Sequence, residues 1–235
     1  MEKSKFLEYF KVFESKGVNL EELYPKLLTY VKLLQEWNEK INLTSIIEDE
    51  DIFIKHFYDS LLPSLYFDTN DRLLADIGSG AGFPGAVLAL AYPSLKVTLI
   101  DATQKKFLFL NELKDTLQIE NLSFYVGRVE LIKDLRTHFD YVISRGFAST
   151  RIQIEVGTPL LKRNGLNIAM KSLKAEQEDT EAKPTMKKMY VSFVEKHKDY
   201  LPVSGDLRAT YIYKKDKDTA NKYPRAWPLI ISKSL

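Results

Sequence analysis

The chain of 235 residues contains no cysteine. Disulfide frameworks, cysteine-ligated zinc, iron–sulfur clusters and thiolate nucleophiles are therefore excluded outright. Histidine is nearly as scarce. His56, His138 and His197 stand far apart without ligand spacing, so no metal site is expected, with oxygen-only magnesium binding left open. No run approaches the roughly 20 apolar residues that span a bilayer. Met1-Glu2-Lys3-Ser4-Lys5 opens without an apolar h-region, so a soluble, cytoplasmic protein with no membrane partner is expected. Internal repeats and low-complexity linkers are also missing, and nothing demands more than a monomer.

Hydrophobic residues make up 45% of the chain, enough for one sizeable core. Net charge is only +2 but unevenly spread: residues 1–76 hold 15 acids against 9 bases, and residues 77–235 hold 17 acids against 25 bases. A basic second half suits a polyanion, and a solvated basic surface is the alternative. Phe6, Tyr9, Phe10 and Phe13 recur at helical spacing over 3–16, and Gly17 stops the pattern. Leu20, Leu23, Leu27, Val31 and Leu34 mark a second helix over 20–38; Ile54, Phe57, Leu61 and Leu62 mark a third over about 50–66. Residues 1–66 thus read as an N-terminal helical cap, which Pro63 and the stretch 68–71 bring to an end.

From Arg72 short apolar runs alternate with helical patterns. Strands are expected at 73–77, 96–100, 122–126, 141–144 and 166–170, with helices at about 84–92, 103–118, 128–135 and 147–162. Such alternation gives an α/β fold, a doubly wound Rossmann-like parallel sheet covered on both faces. Two further strands, about 189–196 and 207–214, are separated by little beyond Pro202 and Gly205. They predict an antiparallel C-terminal hairpin at the sheet edge. Residues 67–214 then form the ligand-binding domain and 215–235 a basic tail, within one compact unit.

The run Asp76-Ile77-Gly78-Ser79-Gly80-Ala81-Gly82-Phe83-Pro84-Gly85 follows a strand and opens a helix, the setting of a nucleotide-cradling turn. Gly80-x-Gly82-x-x-Gly85 alone also matches a dinucleotide fingerprint. Two acids help to separate the possibilities. Asp76, two residues before the first glycine, would repel a pyrophosphate but favour a ligand carrying an amino group and a sulfonium cation. Asp101, at the end of the next strand, suits ribose hydroxyls in either ligand. The terminal hairpin favours a methyltransferase, since a dinucleotide fold continues in parallel βαβ units. The expected cofactor is S-adenosyl-L-methionine, giving S-adenosyl-L-homocysteine, with Asp76, Gly78, Gly80 and Asp101 in its site. A glycine-rich turn with no ligand is the remaining alternative.

Methyl transfer is an in-line displacement, and the nucleophile decides what else is needed. Exocyclic amines are often served by an Asn/Asp-Pro-Pro-aromatic loop after the fourth strand; here that position reads Ser144-Arg145-Gly146-Phe147. Carbon-5 of a pyrimidine is usually attacked through a cysteine adduct. A ring nitrogen with a free lone pair, such as guanine N7, needs neither deprotonation nor a covalent step, so alignment supplies most of the acceleration. No acid, base or nucleophile stands out as catalytic. Arg145 is the candidate for substrate positioning, by holding a phosphate, stacking on a base or reading a guanine acceptor edge; a salt bridge to a loop carboxylate is the alternative. Lys162, Arg163, Lys171 and Lys174 lie together without an acid over 162–174. Residues 214–235 carry six bases among Tyr223, Trp227 and two prolines. That mixture suits single-stranded RNA, or equally a solvated tail with a packed tryptophan.

Several motifs then combine: Trp37-Asn38-Glu39-Lys40-Ile41-Asn42-Leu43-Thr44, His56-x-x-Asp59-Ser60-Leu61, the glycine loop, Asp101-x-x-x-Lys105, Arg128-Val129-Glu130, Ser144-Arg145-Gly146-Phe147-Ala148 and Tyr223-Pro224-Arg225. Over this span, from about Trp37 to Arg225, the chain resembles the bacterial 16S rRNA guanine-N7 methyltransferases, once called glucose-inhibited division protein B. The resemblance implies a class I methyltransferase fold. It also implies cofactor contacts from Gly78, Phe83, Asp101, Ala102, Thr103, Val129, Glu130 and Arg145. Lys105, Arg145, Lys171 and Arg225 are the expected RNA contacts. The implied substrate is one guanine in the decoding region of 16S rRNA, free or within the small ribosomal subunit. His56 and Asp59, at i and i+3, are read as buried hydrogen-bonding groups between cap and core. Gly146 stands where the family commonly has alanine, Ser172 where glycine is usual, and Ala226-Trp227-Pro228 replaces a tail of glycine, proline and lysines.

Three other readings compete. An NAD-type oxidoreductase would use Gly80, Gly82 and Gly85. A small-molecule methyltransferase would close the cap over its substrate. A non-catalytic RNA-binding module would have lost its cofactor, and Asp76, Gly78 and Asp101 speak against that.

Overall fold

The computed structural model describes residues 1–172 and 175–235. In the cap, α1 (Lys3–Phe10) continues as a 3₁₀ turn to Lys16, and Gly17 ends it at φ +81°, a conformation that favours glycine. α2 (Leu20–Asn38) starts on Asn19, whose side-chain oxygen accepts the Glu22 N–H at 3.3 Å, satisfying one orphan donor of the first turn. The third segment is helical throughout but not uniform. It runs through α3 (Asp49–Asp51), a π-helical stretch Ile52–Tyr58, α4 (Asp59–Leu61) and a 3₁₀ turn Leu62–Tyr66. The π stretch buries Ile52, Phe53, Ile54, His56 and Phe57, so His56 goes inward with the phenylalanines.

The sheet region comes next, in the order β1 (Leu73–Ile77), α5 (Gly85–Ala91), β2 (Lys96–Asp101), α6 (Gln104–Leu117), β3 (Leu122–Val126), β4 (Phe139–Arg145), α7 (Thr150–Gly157), β5 (Leu161–Lys171), α8 (Ala175–Met189), β6 (Val191–Tyr200), β7 (Leu207–Lys215) and α9 (Trp227–Ser232). Among the described residues the strands form one sheet ordered β3-β2-β1-β4-β5-β7-β6. β1 to β5 are parallel, and β7 lies antiparallel between β5 and β6. This is the doubly wound sheet with an antiparallel hairpin that the sequence predicts. Strand order reverses between β1 and β4, so the carboxyl ends of β1, β2 and β4 open onto a switch-point crevice, where such sheets bind ligands.

Five segments differ from the sequence pattern. The helix expected over 128–135 shrinks to one 3₁₀ turn, Val129–Leu131, because only Val129 and Ile132 of that stretch reach the core. α7 stops at Gly157, where a Cβ would lie 2.9 Å from Val142 and Asn167 atoms. β5 consequently begins five residues earlier than expected. α8 and α9 carry no apolar stripe long enough to betray them. Lys174, of the basic run, lies outside the described residues.

One apolar cluster runs from Phe6, Phe10, Leu27 and Tyr30 in the cap to Phe83, Leu99 and Leu110 in the sheet region. Burying each aromatic of that size stabilises by roughly 1.5–3 kcal/mol, so cap and sheet hold each other. Among the described residues no helix is long and apolar enough to cross a membrane.

Candidate active site

The glycine loop is held from three sides. Gly78 and Ser79 donate their N–H groups to the Ile100 carbonyl at 2.8 and 3.3 Å, which ties the loop to the end of β2. From the cap, the Tyr30 hydroxyl donates to the Ala81 carbonyl at 2.6 Å. A Cβ at Gly82, φ +90°, would sit 2.6 Å from that hydroxyl. At Gly78, φ +73°, it would run into the Phe147 ring. Both positions therefore need glycine on conformational and steric grounds.

Asp101 and Asp76 share this region but behave oppositely. Asp101 accepts from the Thr103 N–H (2.8 Å), the Gly80 N–H (3.0 Å) and the Lys106 ammonium (3.1 Å). Burial would raise its pKa, but these donors together outweigh burial and hold the carboxylate below its ordinary range. A carboxylate has about four lone-pair sites, so one stays available for a hydroxyl. Asp76 is fully buried; Oδ2 accepts the Gly85 N–H at 2.8 Å, and Oδ1 has no partner among the described residues. Burial pushes its carboxyl up to about 7, against the lowering effects of that hydrogen bond and of Arg145.

A 350 Å³ cavity lies at the carboxyl ends of β1, β2 and β4. Of the residues expected around a cofactor, Gly78, Asp101, Ala102, Val129 and Glu130 line it. Asp76, Gly80, Phe83, Thr103 and Arg145 do not. Gly80 and Thr103 act one step back, through Asp101. Phe83 turns into the core, stacked between His56 (4.4 Å between ring centres) and Tyr30 (5.5 Å). Lys106, Phe147 and Trp227 also line it; Phe147 and Trp227 stand in sequence motifs, but the sequence assigns none of the three to the cofactor. Lys106 adjoins the Asp101-x-x-x-Lys105 motif, whereas Lys105 itself is exposed on α6. Trp227 comes from α9, under the Arg128 guanidinium at 5.2 Å from the ring centre; Arg128 also pairs with Glu130.

On the other side of Gly146 and Phe147 lies a second cavity, of 620 Å³, lined by Lys55, His56, Asp59, Arg145, Lys171, Glu178 and Arg208 among others. Arg145 at the end of β4 does not project freely. Its guanidinium donates to Asp59 (2.9 Å) and to the Lys55 carbonyl (3.0 Å), lies 3.2 Å from His56 Nδ1, and covers the Phe83 ring at 5.2 Å. A salt bridge is thus the observed arrangement, though to a carboxylate on a cap helix and not in a loop. Arg208 adds a second cation on Asp59 at 3.2 Å. His56 must accept from Arg145, which can only donate, so its other nitrogen carries the proton toward Thr44 Oγ1 at 2.8 Å. Burial first, and Arg145 second, push its pKa down to about 3. His56 and Asp59 therefore join cap to core, as their helical spacing suggested.

Two other expected RNA contacts are engaged internally. Lys171 donates to the Ala148 carbonyl (2.7 Å) and pairs with Glu178 (2.9 Å). Arg225 binds Glu155 through both guanidinium edges at 2.8 and 2.7 Å. Glu155 is nearly sealed from solvent, so the tail is anchored at Arg225 rather than offered to a partner. Among the described residues no cluster of three or more His, Asp or Glu side chains could hold a metal ion.

A parallel sheet of this order, a glycine loop after its first strand, an acid after its second and an antiparallel final hairpin define the class I methyltransferase fold. Solved structures agree. A TYW2 protein from M. jannaschii, in complex with AdoMet, superposes with a TM-score of 0.55 over 68% of this chain and 76% of its own, at 15% identity. The YcgJ protein of Bacillus subtilis gives 0.52 over 69% and 100%, at 14% identity. The [4+2]-cyclase SpnF, at 0.54 and 11% identity over 68% and 80%, has the same fold under a different name, so fold alone assigns no reaction. Sequence is more specific. The model of rRNA small subunit methyltransferase G, GidB, matches residues 23–201. The proteins named Ribosomal RNA small subunit methyltransferase G are 40% identical in Streptococcus suis, over 92% of this chain and 94% of that one, and 42% identical in Staphylococcus aureus, over 84% of each. The chain belongs to the rRNA small subunit methyltransferase G family.

Proposed function

We propose that this protein transfers a methyl group from S-adenosyl-L-methionine to N7 of a guanine in 16S rRNA, acting in the cytoplasm as a monomer. One observation carries the reading: two cavities, one beside Asp101 and one rimmed by cations, meet at the wall formed by Gly146 and Phe147.

The smaller cavity fits the donor by its chemistry. Asp101 keeps an acceptor for ribose hydroxyls, Val129, Phe147 and Trp227 offer apolar faces to a purine, and Gly78 allows close approach of backbone. Ala102 and Glu130 complete this set, with Gly80, Thr103 and Asp76 supporting it from beneath; Phe83 and Arg145 support it through the cap. When bound, the donor supplies an electrophilic methyl on a sulfonium sulfur. Residues 67–214 carry this site, 215–235 add Trp227 to its rim, and 1–66 line the larger cavity through Lys55, His56 and Asp59.

What the chain's residues must do is limited by the nucleophile. N7 brings its own lone pair, so no base is required, and the engaged state of His56, Asp59 and Arg145 suits a scaffold that positions rather than exchanges protons. Lys55 and Arg208 give the larger cavity positive charge for the phosphates flanking a flipped-out base. Mapping methylation in RNA from cells lacking the gene tests the reading: one N7-methylguanine in 16S rRNA disappears and returns on complementation. An unchanged map removes the substrate assignment. Calorimetry showing binding of NAD(H), and none of the methyl donor, removes the cofactor as well.

A further inference from the structure

We infer that Glu178 is a specificity-determining residue that reads the N1–H and N2–H₂ edge of the target guanine, an inference that rests on the methyl transfer to guanine N7 proposed above. The larger cavity is rich in groups that only donate: Lys55, Arg145, Lys171 and Arg208. Such groups suit phosphates and the O6 acceptor, and they discriminate poorly against other bases. Reading the opposite edge of guanine needs an acceptor. His56 is stacked on Phe83 with both ring nitrogens engaged. Asp59 is shared between Arg145 and Arg208, with only 5% of its side chain exposed. Glu178 differs from both. Its Oε2 is fixed by the Thr150 N–H (3.0 Å), the Thr150 hydroxyl (3.3 Å) and Lys171 (2.9 Å). Among the described residues no hydrogen bond takes Oε1, and a quarter of the side chain is exposed.

The anchoring bears on function because Thr150 starts α7, only three residues after Phe147. One carboxylate oxygen is therefore held in register with the wall that divides the two cavities, while the other, on a residue that lines the larger one, has no hydrogen bond among the described residues. The remaining oxygen, Oε1, has two lone pairs and can accept both donors of a guanine edge, whereas adenine offers no N1–H. The same contact favours the reaction. When the N7 lone pair forms the new bond to carbon, the carbon–sulfur pair stays with sulfur, and the positive charge passes from the donor to the purine. No proton moves. N1–H becomes a stronger donor as that charge grows, so its bond to Glu178 tightens toward the transition state.

The test compares parent and Glu178→Gln in single-turnover methyl transfer to small-subunit particles. Two particles are assembled, one with the natural target guanosine and one with inosine, which keeps N1–H but lacks the N2 amino group. Glu178→Gln is expected to slow transfer to guanosine by about 10- to 100-fold, the range for a hydrogen bond to a charged group, with donor affinity unchanged by calorimetry. The parent is expected to prefer guanosine over inosine by about tenfold, and the variant to lose that preference. A variant that is slow yet keeps the parental preference shows a structural effect and overturns the assignment, as does a variant as fast as the parent. Should Glu178→Gln not fold, Glu178→Asp, which keeps the charge but withdraws it from the base, is read the same way. A parent that binds the donor but methylates neither particle overturns the proposed substrate, and the assignment with it.

Discussion

The Arg145 guanidinium and the Asp59 carboxylate, 2.9 Å apart, join the carboxyl end of β4 to the cap, and both line the larger cavity. Asp59 also balances Arg208, and all three side chains are at least three-quarters withdrawn from solvent. Removing the shared anion leaves Arg145 without a carboxylate and Arg208 with Asp206 alone, at 3.8 Å, in a poorly solvated place. Asp59→Ala is expected to lose about 3 kcal/mol of stability, measured by urea denaturation. A loss below about 1 kcal/mol would show that the arginines are not held by this carboxylate.

Arg225 offers a contrast between an internal and an external role. Arg225→Ala strands the Glu155 carboxylate, 2% exposed, and is expected to cost about 3 kcal/mol. The slope of RNA affinity against salt should stay the same. A slope shallower by about one would instead identify Arg225 as a phosphate contact.

Asp76 and His56 give opposite pH dependences. Folded Asp76, raised from 3.8 to about 7, holds a proton that the unfolded chain has released. Its contribution is complete below pH 4, declines as pH rises, and is lost above 7. Folded His56, lowered from 6.5 to about 3, is neutral where the unfolded chain is charged, so stability grows with pH through that window. The two nearly cancel in the parent. Asp76→Asn leaves only the rising limb, with a slope approaching roughly 1.4 kcal/mol per pH unit between pH 4.5 and 6. Urea titrations across that range check it, and a variant profile parallel to the parent's would contradict the assignment.

Trp227 should report ligand entry. The chain has two tryptophans; Trp37 is bonded to Glu112 at 3.0 Å and does not line the smaller cavity. S-adenosylhomocysteine is expected to change the emission of the parent and of Trp37→Phe, but not of Trp227→Phe. Loss of one aromatic wall in Trp227→Ala should weaken binding by about tenfold, or about 1.4 kcal/mol. Equal affinity in calorimetry would remove Trp227 from the site.

Much of the architecture was readable because β1, β2 and β3 are short apolar runs and the glycine loop follows the first of them. α8 was not, since its inward residues are Ala175, Ala182, Thr185, Met186 and Met189, set among charges and broken by Pro184. The loop and its acids were legible as a ligand turn. That Asp76 faces away, onto the Gly85 N–H, depends on how α5 starts, which composition does not encode. Arg145 could be placed at a strand end from pattern alone. Its partner stands 86 residues earlier, and Trp227 reaches the cavity only after the chain has crossed the whole sheet. Contacts that distant arise from tertiary packing, to which local spacing is blind.

The ring of Phe147 belongs to both cavities, and Gly78 has no side chain because that ring needs the room. A molecule seated in one chamber therefore leans on the same six carbons as a molecule seated in the other. Replacing Phe147 by a small residue would fuse the chambers, and any change of affinity would then appear for both occupants together.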